Sequence, residues 1–229
     1  MKSLRHWRAT TMAALFVACL AGNSTADVLF DVDVGINGDL PVKVNNSLPA
    51  LTALFQNDGA NQVKLTLDAS NLLPQEFVGV FLFNYDGDAS SLTMFPFPPA
   101  VSSITKTATQ SLSGGNQVKA GLFNIQIDFN TSSSSDRFQG GETLVFSIQK
   151  AGIDEADFSV LSIPKPAPNP STGGWYAAAD IQGIPDGTAT TSGSVGAHPN
   201  SAVPEPASLV LFILGGAGLF AVRLRRGKP

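Results

Sequence analysis

Cysteine is all but missing. The single Cys19 falls in an apolar run near the N-terminus, so the rest of the chain has no thiol for a disulfide, a nucleophile or a thiolate metal site. Histidine is as scarce: His6 stands in the same N-terminal segment and His198 in a stretch rich in Gly, Ser, Thr and Pro. A Ser-His-Asp or Cys-His centre needs an imidazole held beside its nucleophile by a packed scaffold, and a zinc site needs clustered His or Cys. Neither histidine is placed for either task. No Gly-x-x-x-x-Gly-Lys-Ser/Thr loop and no dinucleotide fingerprint occurs, so no cofactor is expected. Between residues 27 and 202 the only arginine is Arg137. That span carries seven Lys or Arg against seventeen Asp or Glu, a formal charge of −10 where the whole chain has −4. So acidic a body lacks the basic patch that phosphate demands, which excludes nucleic acid as a partner.

The two ends of the chain are organised differently from the middle. Lys2, Arg5 and Arg8 precede an apolar stretch from Thr10 to Gly22, and Ser24-Thr25-Ala26 supplies small residues. This order predicts a signal peptide over residues 1–26, cut by signal peptidase between Ala26 and Asp27. Acylation at Cys19 is a poorer alternative, because Phe16-Val17-Ala18 fits a lipidation site badly. At the other end, Val203-Pro204-Glu205-Pro206 leads into an uncharged, mostly apolar run over 207–222, followed by Arg223, Arg225, Arg226 and Lys228. Sixteen helical residues rise roughly 24 Å, short of a hydrocarbon core of about 30 Å. Snorkelling arginines and local thinning close such a gap. The expectation is a single membrane helix over about 207–222 with a basic tail, 223–228, on the inner side and the body outside.

Pro-Glu-Pro, a short apolar segment and a terminal arginine cluster, in that order and behind a signal peptide, resemble the PEP-CTERM sorting signal. The resemblance covers residues 203–229. It implies an exosortase-type processing enzyme as partner, cleavage near Pro204 to Pro206, and delivery to the cell surface or the secreted matrix. Four stretches of the body are similar to a subset of PEP-CTERM proteins: Phe81–Asp86, Leu122–Phe129, Arg137–Glu142 and Trp175–Gly183. That resemblance assigns no catalytic residue.

The body itself reads as β. Gln62–Asp68 alternates strictly, with Val63, Leu65 and Leu67 on one face. Leu122–Phe129 sets Ile125, Ile127 and Phe129 inward against Asn124, Gln126 and Asp128. Thr143–Gln149 sets Leu144, Phe146 and Ile148 against Thr143, Ser147 and Gln149. A period of two marks half-buried strands. Weaker candidates are Val28–Val34, Leu51–Phe55, Phe77–Phe83, Phe158–Ile163 and Tyr176–Ile181. Asn57-Asp58-Gly59, Asp86-Gly87, Gly140-Gly141 and Pro185-Asp186-Gly187 punctuate them. No long stretch has helical period. The fold class expected is all-β: an antiparallel β-sandwich of about eight strands over residues 27–183, its core filled by phenylalanine, 15 of which stand against two Trp and two Tyr. Residues 184–202 are expected to be a flexible Gly/Ser/Thr/Pro tether, and Ser162 to Gly174, with four prolines, an extended connection.

Candidate chemistry is thin. Asn84, Asp86 and Asp88 place oxygen side chains at alternate positions, as calcium loops do, although Gly87 departs from that pattern and no further acid follows at the right distance. Asp31 with Asp33, and Asp154 with Glu155 and Asp157, are further acidic groups. Trp175, Tyr176 and Tyr85 form a candidate sugar-stacking set. Arg137 is expected to cap locally or to pair with Glu142. The expectation is a protein without enzymatic activity, displayed at the surface and associated with exopolysaccharide. A carbohydrate-binding module is the alternative. A hydrolase would need two carboxylates roughly 5–9 Å apart across a cleft.

Overall fold

A computed structural model describes residues 27–96, 109–111, 119–166, 170–171, 173–187 and 189–198. The expected signal peptide, with Ala26, and the whole segment 203–229, with the Val203–Pro206 motif, the apolar run and the basic tail, lie outside these residues. The strands, in chain order, are β1 (Val28–Val32), β2 (Val34–Gly38), β3 (Leu51–Asn57), β4 (Gln62–Asp68), β5 (Phe77–Phe83), β6 (Thr93–Pro96), β7 (Thr109–Ser111), β8 (Ile125–Asp128), β9 (Phe138–Gln139), β10 (Thr143–Gln149), β11 (Ala177–Pro185) and β12 (Thr190–Ala197). The chain is all-β. Its only helical pieces among the described residues are two 3-10 turns, Ala89–Ser91 and Glu155–Phe158.

The strands form two sheets, and every pairing is antiparallel. The first has the order β1-β3-β4-β10-β6; the second has β2-β12-β11-β5-β8-β7, with β9 also beside β5. Alternation does its expected work in the first sheet. Leu51, Ala53 and Phe55 of β3 face the core with Val63, Leu65 and Leu67 of β4, all fully buried. Across β4 and β10 the register pairs Leu65 with Phe146 and Val63 with Ile148. The turn joining β3 to β4 uses Gly59 at φ +94 and Asn61 at φ +68, residue types that accept left-handed backbone.

The sheets meet through aromatic rings. Phe55 of β3 lies 5.3 Å from Phe83 of β5 and 4.5 Å from Phe158, and Phe30 of β1 stacks on Tyr176 at 5.1 Å and 7°. Phenylalanine therefore fills the core as its abundance predicts.

β5, Phe-Val-Gly-Val-Phe-Leu-Phe, is buried along its whole length. Val78, Phe81 and Phe83 face the main core. Val80 and Leu82 point the other way, into a small second cluster with Ala120, Phe123 and Ala178, against which Ile36 and Trp175 pack. An uninterrupted apolar strand is what burial on both faces produces.

Three expectations change. More strands form than the eight expected, because β6, β7 and β9 are too short to show a period. Phe158–Ile163 is no strand: Phe158 closes a 3-10 turn and Ile163 makes one isolated bridge, to Leu122. The largest change concerns residues 184–202. Pro185-Asp186-Gly187 is a hairpin turn, and Thr190–Ala197 is β12, hydrogen-bonded to β11 on one side and β2 on the other. The tether assignment fails for 184–187 and 189–197, and the domain expected to stop at 183 runs to 197; residues 199–202 lie outside the described residues. Small residues are there for lack of room. A Cβ on Gly193 would collide with the Asp39 carbonyl, and one on Gly196 would lie 2.5 Å from Trp175 Cε3 and 2.8 Å from Ile36 Cδ1.

Candidate functional site

The acidic groups picked out in sequence are taken up by local structure. Asp88 caps the Ala89–Ser91 turn: its Oδ1 accepts from the Ser90 amide at 2.9 Å and the Ser90 hydroxyl at 2.6 Å. These bonds hold the carboxyl below its usual range. Asp86, beside it, is exposed, and its amide donates to the Asp157 carbonyl. Asp154 and Asp157 form a reciprocal capping box on the second 3-10 turn. Asp33 accepts from Lys43 Nζ at 2.8 Å and the Ala50 amide at 3.0 Å. Among the described residues no three His, Cys, Asp or Glu side chains gather as metal ligands would.

The aromatic set divides. Trp175 and Tyr176, just ahead of β11, go to opposite sides of the sheet: Trp175 packs on the small second cluster and Tyr176 on the main core. Tyr176 goes inward onto Phe30. Tyr85 is 5% exposed, packs 5.6 Å from Phe158, and receives Lys150 Nζ on its hydroxyl at 2.7 Å. These two cannot form a stacking platform with Trp175. Trp175 lies half-buried on the outer face of the second sheet, edge-on to His198 with ring centres 5.4 Å apart. Arg137 stacks over Phe77 at 4.1 Å and donates from Nε to the Thr131 carbonyl.

That outer face carries an ordered polar row. Its register brings Asn37 (β2), Ser194 (β12), Asp180 (β11), Val80 (β5) and Asp128 (β8) into one row across five strands. Gln126 Nε2 donates to both oxygens of Asp128, at 2.7 and 2.9 Å, and Gln182 Nε2 donates to Asp180 Oδ2 at 2.9 Å. A bulge in β5 sets Gly79 beneath the second pair. A Cβ there would come within 2.7 Å of the Gln182 amide nitrogen and 3.2 Å of Asp180 Oδ2, so a side chain at this position would shift the pair from its place over the strand. Burial pushes the Asp180 carboxyl up, and the Gln182 bond offsets part of that. Ser194 is 5% exposed and its hydroxyl has no hydrogen-bond partner among the described residues, although it sits between Asn37 and Asp180. Next to the row, Trp175, Ala178, Leu82 and Phe123 make the apolar flank.

Alternation placed Gln126 and Asp128 outward. It missed Asp180, Gln182 and Ser194 as partners, because Ser194 was assigned to a tether and only the β11–β12 pairing brings it beside Asp180. Elsewhere, an open depression of about 470 Å³ lies over Asn61, Gln62, Ser91, Thr93, Gln149 and Lys150; no carboxylate lines it.

Residues 202–226 match the PEP-CTERM protein-sorting motif. The motif marks the chain as an exported surface protein addressed to an exosortase. No curated protein and no solved structure matches the chain significantly. Among the described residues no helix is long and apolar enough to cross a membrane; the segment 207–222 lies outside them.

Proposed function

We propose that the chain is a non-enzymatic protein of the cell surface or extracellular matrix, associated there with exopolysaccharide. The observation that carries this is the sorting motif at 202–226, placed behind a body whose two sheets and aromatic core are complete by residue 198. Signal peptidase releases the chain at Asp27. The apolar segment 207–222 then holds the C-terminus in the membrane, with Arg223, Arg225, Arg226 and Lys228 on the inner side. An exosortase-type enzyme acts near Pro204 to Pro206 and passes the body outward. A structural role suits a body whose conspicuous acids serve as caps and loop anchors. A carbohydrate-binding module is the second reading, favoured by the polar row beside Trp175.

Intact mass of the mature protein, from membrane and culture fluid of its native host analysed separately, tests the proposal. A chain beginning at Asp27 and ending near Pro204 to Pro206 is expected. A chain ending at Pro229 in every fraction would overturn the processing step and leave a permanently tethered domain.

A further inference from the structure

The row on the outer face of the second sheet has features that structural packing alone does not call for. Two carboxylates, Asp128 and Asp180, stand two strand spacings apart, roughly 9.6 Å between backbones. Each is fixed by a glutamine on its own strand, which leaves further acceptor capacity at the carboxylate oxygens. Gly79 removes the side chain that would displace the Gln182–Asp180 pair. Ser194, 95% buried, keeps a hydroxyl with no hydrogen-bond partner among the described residues at the middle of the row. An unpaired hydroxyl at this place can donate to or accept from an incoming group. The row ends at Asn37, which Lys119 Nζ approaches at 3.4 Å, and its apolar side is closed by Trp175.

We infer that this face binds an uncharged polysaccharide chain laid across the strands from Asn37 to Asp128, with Ser194, Asp180 and Asp128 taking its hydroxyl groups. The inference rests on the exopolysaccharide reading above and gives it a site. Sugar hydroxyls are donors and acceptors in dense array, and fixed carboxylates and carboxamides are their complements. Four strand spacings span roughly 19 Å, enough for several sugar units in line. Charge selects the neutral class: an anionic chain would meet both carboxylates and a body of formal charge −10. Geometry favours binding over cleavage. A glycosidase sets its two carboxyl groups on opposite sides of the scissile bond, whereas Asp128 and Asp180 stand on the same face of one sheet.

Affinity electrophoresis of the body, residues 27–204, tests this; that span carries both sheets and all the described core. The probes are dextran, laminarin, galactomannan and hydroxyethylcellulose as neutral chains, with alginate as the anionic one. At least one neutral chain is expected to retard the protein, and alginate not. Asp128→Ala and Asp180→Ala should each weaken that retardation about tenfold, as loss of a hydrogen bond to a charged group does. Lys64→Ala, on the outer face of the other sheet, should leave it unchanged. If an alanine variant does not fold by near-ultraviolet circular dichroism, Asp128→Asn and Asp180→Asn replace it, with a smaller loss expected. No retardation by any neutral chain overturns the inference. So does retardation that survives both aspartate changes, a preference for alginate, or release of new reducing ends. Intact mass keeps the two proposals apart: an unprocessed tail with normal retardation sinks the sorting reading alone, and a processed chain without retardation sinks only the glycan face.

Discussion

Glu76 is fully buried between two loops, with one carboxylate oxygen taking the Val42 amide at 2.6 Å and the other the Leu73 amide at 2.9 Å. It joins the long connection after β2 to the turn before β5. Asn71 does the same work beside it, accepting from the Asn45 amide while its own amide group reaches the carbonyls of Asn45, Leu48 and Pro49. Glu76→Gln keeps the shape but turns an NH2 group onto one of the two backbone donors. The expected loss is about 1–3 kcal/mol, read as a lower urea midpoint, with faster hydrogen exchange at Val42 and Leu73. An unchanged midpoint would mean that the loop holds itself. Nothing in sequence marked Glu76, since a single acid before an apolar strand looks like any solvated residue. The side-to-side rule was more informative where it was followed: it put Gln126 and Asp128 outward and Phe129 inward, as found. Trp175 and Tyr176, which precede β11, pack on different clusters, and only composition suggests that they act together.

Between elements, β12 shows where composition misleads. Thr-Thr-Ser-Gly-Ser-Val-Gly-Ala has the content of a linker, yet Gly193, Val195 and Ala197 are spaced as one inward face, and the last five residues are buried. The residues are small because β12 runs between β11 and β2, beneath Asp39 on one face and Trp175 on the other. Strands with large alternating side chains, β3, β4 and β10, were legible because burial of those side chains is what makes the pattern. β12 was not, because its neighbours supply the bulk. Gly196→Leu should therefore behave as an overpacked core change: about 1–3 kcal/mol less stable, with the Trp175 fluorescence maximum shifted red as the indole is displaced. A linker residue would tolerate leucine with no change in melting temperature, and that result would mean β12 does not hold its place in the sheet.

At the scale of the whole molecule, charge and burial act in the same direction. Three carboxyl groups, Asp31, Glu76 and Asp180, are raised above their ordinary values, each chiefly by burial, with Asp33 adding to the effect at Asp31. A carboxyl that is raised in the folded chain binds its proton more tightly there than when unfolded. Its stabilising contribution is complete below the unfolded value and is lost as pH rises through the folded one. Asp88, lowered by Ser90, has the opposite sign, but its contribution is lost only as pH falls through its depressed value, below the range considered. Seven basic against seventeen acidic residues between 27 and 202 add a repulsion that protonation also relieves. The body should therefore melt at a higher temperature near about pH 5 than at pH 7. Salt separates the two causes: the long-range repulsion is screened at roughly 1 M ionic strength, where the Debye length is about 3 Å, and the burial term is not. A pH dependence that persists in high salt and flattens in Glu76→Gln with Asp180→Asn would assign it to the buried carboxyls. A dependence that vanishes in salt would assign it to net charge, and a melting temperature that falls toward pH 5 would mean that these carboxylates are better solvated than their burial implies.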